Sequence, residues 1–167
     1  MSALAPTLQA FFTDRLIQQR HASDHTVAAY RDTWRLLLGF AANQTRKQPF
    51  QLDIADLDTP LITAFLDHLE HLRNNSIRTR NARLAAIHSL FRFAALRHPE
   101  HAAVIERDLA IPAKRHDQTV VTFLTQTEID ALLTAPDRNT WTGRRDHALL
   151  CLAIQTGLRI SELTGLT

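Results

Sequence analysis

The sequence contains very little lysine, glycine or cysteine for its length. Only Lys47 and Lys114 are lysines among 19 basic residues, so arginine supplies nearly all of the positive charge. Cys151 is the only cysteine, which excludes a disulfide within the chain and a zinc site built on several thiolates. Four glycines and a near absence of alternating apolar and polar residues favour helices over strands.

Long apolar runs and recognisable cofactor motifs are also absent. No segment is apolar for long enough to span a membrane and no signal peptide opens the chain, so we expect a cytoplasmic protein without a membrane partner. No phosphate-binding loop, dinucleotide fingerprint or nucleophile elbow is found, and we expect no cofactor. The pairs His21/His25 and His68/His71 have a spacing that suits metal ligands, but solvated or packing histidines are favoured, so no metal site is predicted.

Apolar residues at three- and four-residue spacing predict four helices in the first hundred residues. The helices run over residues 6–20, from a cap at Ser23 or Asp24 through Phe40, from Thr59 to about residue 72, and from a cap at Ser76 to about His98. This is the size of a compact helical bundle. We expect the bundle to occupy residues 1–112, with a polar linker at 113–118.

The pattern changes at residue 119, where a second domain is expected to begin. "TVVTF" is the one short β-branched run and predicts a strand at 119–123. "TQTE" is a capping box in which Thr125 caps a helix and Glu128 lies three residues later. The next helix ends where Gly157 can adopt the left-handed conformation. The fold class expected is mainly α, with an α+β second domain spanning 119–167.

No aspartate or glutamate occurs between His71 and Pro99, and this stretch carries six arginines. Arginine suits bidentate recognition of phosphate, so the stretch predicts a helix that contacts double-stranded DNA. The second helix also has a basic side. The DNA-binding residues expected on the two helices are Thr26, Arg31, Arg35, Ser76, Arg78, Thr79, Arg80, Asn81, Arg83 and Arg92.

Two other interpretations of these arginines remain open. The face could be solvated and paired with acids such as Asp53, Asp56 and Asp58, and the preference for arginine could reflect a GC-rich genome. Arg80 is difficult in either case, because it falls near the middle of the apolar stripe of its helix. It is either paired, or the helix settles into its register only after it.

The chain closes on "TGLRISELTGLT", in which Arg159 lies between Leu158 and Ile160 at the expected start of a helix. An arginine there favours an anion, because exposed backbone N–H groups lie beside it. Glu162 could instead hold Arg159 in a structural ion pair, and the residues alone do not separate these roles.

This closing segment resembles the first active-site block of the tyrosine recombinases, or phage integrases. "TQTEIDALLTAP" and "RRDHALLCLAIQTGLRISEL" are similar to the opening of that family's catalytic domain. "SDHTVAAYRDTWRLLLGF" and "SIRTRNARLAAIHSLFRFA" resemble the second and last long helices of its core-binding domain. The resemblance covers nearly the whole chain and implies a SAM-like helical bundle in the first domain.

The resemblance also implies a chemistry. Family members cleave one DNA strand with a tyrosine, hold the DNA as a 3′-phosphotyrosine and pass it to another strand, acting with other recombinase protomers on DNA. Arg159 matches the first catalytic arginine, which stabilises charge on the phosphoryl oxygens. The family's later catalytic residues, including the nucleophile, are not found, and the one tyrosine, Tyr30, matches a packing position. The sequence therefore predicts a truncated recombinase that binds DNA and is inactive alone.

Two functions of other classes compete with this one. A helical DNA-binding regulator would share the basic helix but carry an effector or dimerisation module as its second domain. A helical interaction module would not bind DNA at all. Measured DNA binding separates the last hypothesis from the first two.

Overall fold

The computed structural model describes residues 4–115 and 123–166, and all of the regular secondary structure there is helical. The chain divides into two compact units, unit 1 at Met1–Asp117 and unit 2 at Gln118–Thr167. The described ranges contain no strand, which confirms the expected mainly α class. Residues 119–122 of the expected strand lie outside the described residues, and Phe123 is not in a strand.

Unit 1 is a bundle with five α-helices in its described part, one more than the sequence predicts. The helices are α1 (Leu4–Ala10), α2 (Asp24–Thr45), α3 (Thr59–His71), α4 (Ile77–Ala95) and α5 (Ala102–Leu109). Short 3₁₀ turns lie at Pro49–Gln51, Ile54–Asp56 and Pro99–His101. The additional helix is α5. It is only eight residues long, about two turns, which is too short a stretch for apolar spacing to predict a helix from sequence.

The first predicted helix, residues 6–20, has a different internal winding. It begins as α1 and continues directly as a π-helix over Phe11–Gln19. Hydrogen bonds in a π-helix join residues five apart, and this winding brings Phe11 and Leu16 onto one face. Both side chains are buried in the core, whereas α-helical winding would separate them around the helix axis.

Hydroxyl side chains begin the two longest helices, as the sequence predicts. The Ser23 hydroxyl accepts a hydrogen bond from the Thr26 N–H at the start of α2. The Ser76 hydroxyl accepts one from the Thr79 N–H at the start of α4. Each cap satisfies a backbone donor that would otherwise lack a partner, which is worth about 1 kcal/mol to the helix.

Aromatic side chains join the helices of unit 1. Trp34 of α2 meets Phe91 of α4 edge to face, with ring centroids 6.3 Å apart. Phe11 stacks on Tyr30 at 6.3 Å and lies 5.7 Å from Phe93 of α4. Trp34, Phe11 and Phe91 are at most 1% exposed, so the core rigidly connects α2, α4 and the π-helix.

Unit 2 contains three helices in its described part: α6 (Gln126–Thr134), α7 (Trp141–Thr156) and α8 (Ile160–Thr164). The capping box of Thr125 and Glu128 is present at the start of α6. Gly157 ends α7 with φ of 66°, in the left-handed region that favours glycine. Both predictions of local structure are confirmed.

Asp108 is a fully buried carboxyl group on α5. Its Oδ1 accepts a hydrogen bond from the Thr59 hydroxyl at 2.6 Å, while Oδ2 has no partner among the described residues. Burial, opposed by the Thr59 hydrogen bond, raises the pKa of Asp108 from 3.8 to about 6. Unit 1 is therefore more stable when this carboxyl is protonated.

We expect the Asp108 carboxyl to make unit 1 less stable at neutral pH than in mild acid. Its folded-state pKa lies above the unfolded value, so its stabilising contribution is complete below about pH 4 and is lost as pH rises through about 6. The loss is on the order of 3 kcal/mol. Asp108→Asn keeps an acceptor for Thr59 but cannot titrate, and it should exceed the wild type in stability at pH about 7.

Urea unfolding at several pH values measures this difference. Trp34 fluorescence reports unit 1 when both proteins also carry Trp141→Phe, which removes the other tryptophan. Comparing the two proteins at each pH cancels the contributions of other carboxylates, which the substitution leaves in place. Parallel stability curves for wild type and Asp108→Asn would contradict the raised pKa.

Candidate nucleic-acid interface

The exposed face of α4 has arginines at its two ends and small residues between them. Arg78 and Arg92 are both exposed, and they are fourteen positions apart in the helix, which places them about 21 Å apart along the axis on nearly the same side. Exposed Ala82 and Ala85 lie between them. The helix carries no acidic side chain, so this face combines positive charge with room for close approach of a polyanion.

The N-terminal half of α2 provides a second exposed basic face. Arg31 and Arg35 are exposed on it one turn apart. Thr26 is half-buried near the helix start, with its hydroxyl 3.1 Å from that of Ser23. Ser76 and Thr79 form the equivalent hydroxyl pair at the start of α4, 3.0 Å apart. These hydroxyls therefore serve helix capping first, although those of Ser76 and Thr79 remain exposed.

Asp32 links the basic faces of α2 and α4. Its Oδ2 lies 2.9 Å from Arg83 Nη1, and its Oδ1 lies 3.2 Å from Arg35 Nη2. The hydrogen bond from Arg83 is the main cause that holds the pKa of Asp32 below its usual value. One carboxylate thus serves two guanidinium groups and leaves a net positive charge.

Arg83 and Arg35 differ in how far they reach solvent. The Arg83 side chain is 17% exposed and ties α4 to α2, whereas the Arg35 side chain is 77% exposed. We therefore assign Arg83 to positioning the two helices and Arg35 to the accessible surface.

The structure corrects the expected role of Arg80. This residue is 4% exposed, and its Nε lies 3.2 Å from Glu70 Oε1 of α3, while its Nη1 donates to the Pro112 carbonyl at 3.3 Å. Glu70 Oε2 also accepts a 2.8 Å hydrogen bond from Lys114 Nζ. A buried, paired guanidinium is not accessible to DNA, and the pairing resolves its place within the apolar stripe. Arg80 is left out of the proposed interface.

Asn81 is engaged in the same region. Its Oδ1 accepts from the Lys114 N–H at 3.0 Å and its Nδ2 donates to the Lys114 carbonyl at 2.7 Å. These paired bonds fix the chain after α5 against the start of α4, so Asn81 is also left out of the interface. The expected linker at 113–118 is thus anchored to unit 1 at its first residues.

A basic groove lies between the π-helix and the C-terminal half of α4. Arg15 and Arg20 line one part of it, and Arg92 and Arg97 line another. The Arg97 guanidinium lies 4.1 Å from the centroid of the Phe93 ring, which holds it at the groove wall. No acidic side chain lines the groove. Sequence reasoning missed Arg15 and Arg20, because more than seventy residues separate them from their neighbours in space.

Arg159 lies at the start of α8 in unit 2. Its N–H donates to Glu162 Oε2 at 2.8 Å, and its Nη1 lies 3.4 Å from Glu162 Oε1. The Arg159 side chain is nevertheless 83% exposed. The ion pair considered from the sequence is therefore present, and it leaves most of the guanidinium accessible.

Two other kinds of site were sought across the described part of the chain. No helix there is long and apolar enough to cross a membrane. The same residues contain no group of three or more potential metal-ligating side chains. His71 is exposed, with its Nδ1 2.9 Å from the Asp67 carbonyl, whereas the His68 ring packs against Phe40.

Several known proteins that are similar to this chain are named as recombinases. The model of the phage integrase N-terminal SAM-like domain matches residues 9–98, more than half of the chain. The integrase/recombinase y4rC of Sinorhizobium fredii is 59% identical over 165 residues, which are 99% of this chain and 50% of that protein. The tyrosine recombinase XerD of Vibrio vulnificus is 30% identical over 159 residues, 93% of this chain and 48% of its own length.

A more distant relative extends the same pattern. The tyrosine recombinase XerC of Anoxybacillus flavithermus is 26% identical over 152 residues, 90% of this chain and 47% of that protein. The chain spans about half the length of the curated relatives it matches. No solved structure matches significantly. The matched domain model and the similarity to these recombinases show that this chain belongs to the phage integrase family, the tyrosine recombinases.

Proposed function

We propose that unit 1 is the DNA-binding portion of a site-specific tyrosine recombinase acting in DNA recombination and integration. In this proposal residues 1–112 are the core-binding domain of the recombinase, residues 113–118 are the linker, and residues 119–167, which belong to unit 2 from Gln118 onward, are the opening part of the catalytic domain. Double-stranded DNA is the partner, and further recombinase protomers are expected on the same DNA. In this proposal α2 and α4 present the contacting side chains.

The observation that carries the proposal is the exposed face of α4. Arg78 and Arg92 there have no acidic partner among the described residues, and only small side chains lie between them. Neither side chain forms an ion pair that would stabilise the fold, so the structure of unit 1 does not itself account for these two charges. A phosphate backbone neutralises them and releases its counterions, which is the main source of affinity for DNA.

Arg159 is proposed to act on the scissile phosphate of the recombination reaction. A guanidinium stays charged at all working pH values and stabilises developing negative charge without transferring a proton. Glu162 orients this side chain through the 3.4 Å contact, and the exposed remainder is free to meet a phosphoryl oxygen. Such stabilisation accelerates only a reaction that a nucleophile initiates.

We expect the 167-residue polypeptide to bind a recombination half-site without cleaving it. Its one tyrosine, Tyr30, is half-buried in unit 1 and stacked on Phe11, so it is a packing residue and not an exposed nucleophile. A nicked suicide substrate that carries a half-site tests both parts of the expectation. A native gel should show a shifted complex, and a denaturing gel should show no protein–DNA adduct.

Tyr30→Phe is the matched control for this experiment. An adduct that survives denaturation in the wild type and disappears in Tyr30→Phe would overturn the assignment of Tyr30 to packing. The absence of any shift on the native gel would instead overturn the proposal that the chain binds DNA.

A further inference from the structure

Gly39 lies inside α2 at an exposed position where the fold does not require glycine. A Cβ atom added there would meet no heavy atom within 4 Å, and the residue does not have a positive φ. Glycine in a helix interior is destabilising relative to alanine, because it loses more backbone freedom on folding. Neither packing nor backbone geometry in unit 1 explains why residue 39 is a glycine.

Arg46, seven residues later, is the opposite case, because a residue with a side chain lies where glycine is normally preferred. It ends α2 in the left-handed conformation, with φ of 56°, where glycine or asparagine is normally preferred. The helix thus has glycine where another residue would stabilise it and arginine where glycine would. Departures from local preference of this kind concentrate at functional sites.

Gly39 and Arg46 belong to the same surface, which we call the Gly39 surface. Two shallow grooves meet at Gly39, and Arg35, Asn43, His68 and Arg73 line the first. Ala42, Arg46, Lys47 and Gln48 are among the residues that line the second. No acidic side chain lines either groove.

The charges of the Gly39 surface are only partly balanced. Lys47 pairs with Asp56 at 2.6 Å, and Arg35 shares Asp32 with Arg83. Arg46 and Arg73 are exposed and form no ion pair within the described residues. The surface therefore carries free guanidinium groups on both sides of a helix position that lacks a side chain.

We propose that the Gly39 surface binds the phosphodiester backbone of DNA. The missing side chain lets a phosphate approach the α2 backbone closely, while Arg35, Arg46 and Arg73 contact phosphates around it. Arg35 also belongs to the basic face of α2 that includes Arg31. Arg31 lies about 12 Å from Gly39 along the helix axis, so the two surfaces are continuous. This inference rests on the proposed DNA-binding function and extends it to the C-terminal half of α2.

Two substitutions separate binding from folding at this surface. Gly39→Leu adds bulk at an exposed helix position and improves helix propensity, and Arg46→Gly relieves the left-handed arginine. Each should leave the urea midpoint of the 167-residue chain unchanged or higher. Each should nevertheless weaken binding to a fluorescent duplex, by about tenfold for Gly39→Leu. Ala103→Leu, which also introduces a leucine at an exposed helix position but on α5, should leave affinity unchanged.

The possible outcomes distinguish this inference from the proposed function. Unchanged affinity in Gly39→Leu and Arg46→Gly would overturn the inference, and the function would stand if Arg78→Ala still weakened binding. A fall in the urea midpoint together with affinity would show that Gly39 is structural and would also overturn it. A wild-type chain that binds no duplex would overturn the proposed function itself.

Discussion

Glu70→Ala is expected to destabilise unit 1 by about 3 kcal/mol, because it leaves the buried guanidinium of Arg80 without its counter-charge. The Arg80 side chain is 5% exposed and that of Glu70 is 15% exposed, so water replaces little of the lost interaction. The same substitution removes the 2.8 Å partner of Lys114, which anchors the chain that follows α5. Urea unfolding followed through Trp34 fluorescence, with Trp141→Phe in every protein compared, measures the loss.

A double substitution tests whether the buried charge is the cause. Glu70→Ala combined with Arg80→Met removes the guanidinium and fills its space with an apolar side chain, so most of the lost stability should return. Asp32→Ala is the comparison at a more exposed pair, where the side chain is 43% exposed and a smaller loss is expected. A double variant as unstable as Glu70→Ala would contradict the account of Arg80.

Local sequence patterns predicted the helix ends well. Ser23, Ser76 and Thr125 were recognisable as caps and Gly157 as a helix terminator, because each acts on backbone groups within a few residues. The π-helix at Phe11–Gln19 was not predictable in this way. The π-helical winding allows both Phe11 and Leu16 to be buried, and their burial depends on the rest of the bundle.

The sequence predicted which helix carries the candidate interface, but it did not predict which residues are accessible there. The acid-free stretch identified α4, whereas the burial of Arg80 depends on Glu70, ten residues earlier on a different helix. Asn81 pairs with Lys114, which lies 33 residues away. Arg15 and Arg20 join Arg92 only through the packing of the π-helix on α4. Contacts between distant segments are not encoded in spacing or composition.

The second large effect is expected from Arg78→Ala combined with Arg92→Ala. Both side chains are exposed on one face of α4 and have no ion-pair partner among the described residues, so their removal should not unfold unit 1. Each is proposed to contact a DNA phosphate. Their loss should weaken binding to all duplexes about equally, since phosphate contacts carry no sequence information.

Arg107→Ala combined with Arg138→Ala is the matched control for this variant. Both residues are exposed arginines outside the proposed interface, and the double substitution changes the net charge by the same amount. An affinity that falls equally in the two double variants would show that only overall charge matters, and the α4 face would lose its assignment.

The most direct test of DNA binding through α4 is the salt dependence of duplex affinity, measured by fluorescence anisotropy between about 50 and 200 mM salt. The slope of log affinity against log salt should be steep for the wild-type chain and for the Arg107/Arg138 control. It should be smaller by about two for the Arg78/Arg92 variant, because two phosphate contacts are lost. An unchanged slope and affinity in that variant would contradict the central claim that this face of α4 binds DNA.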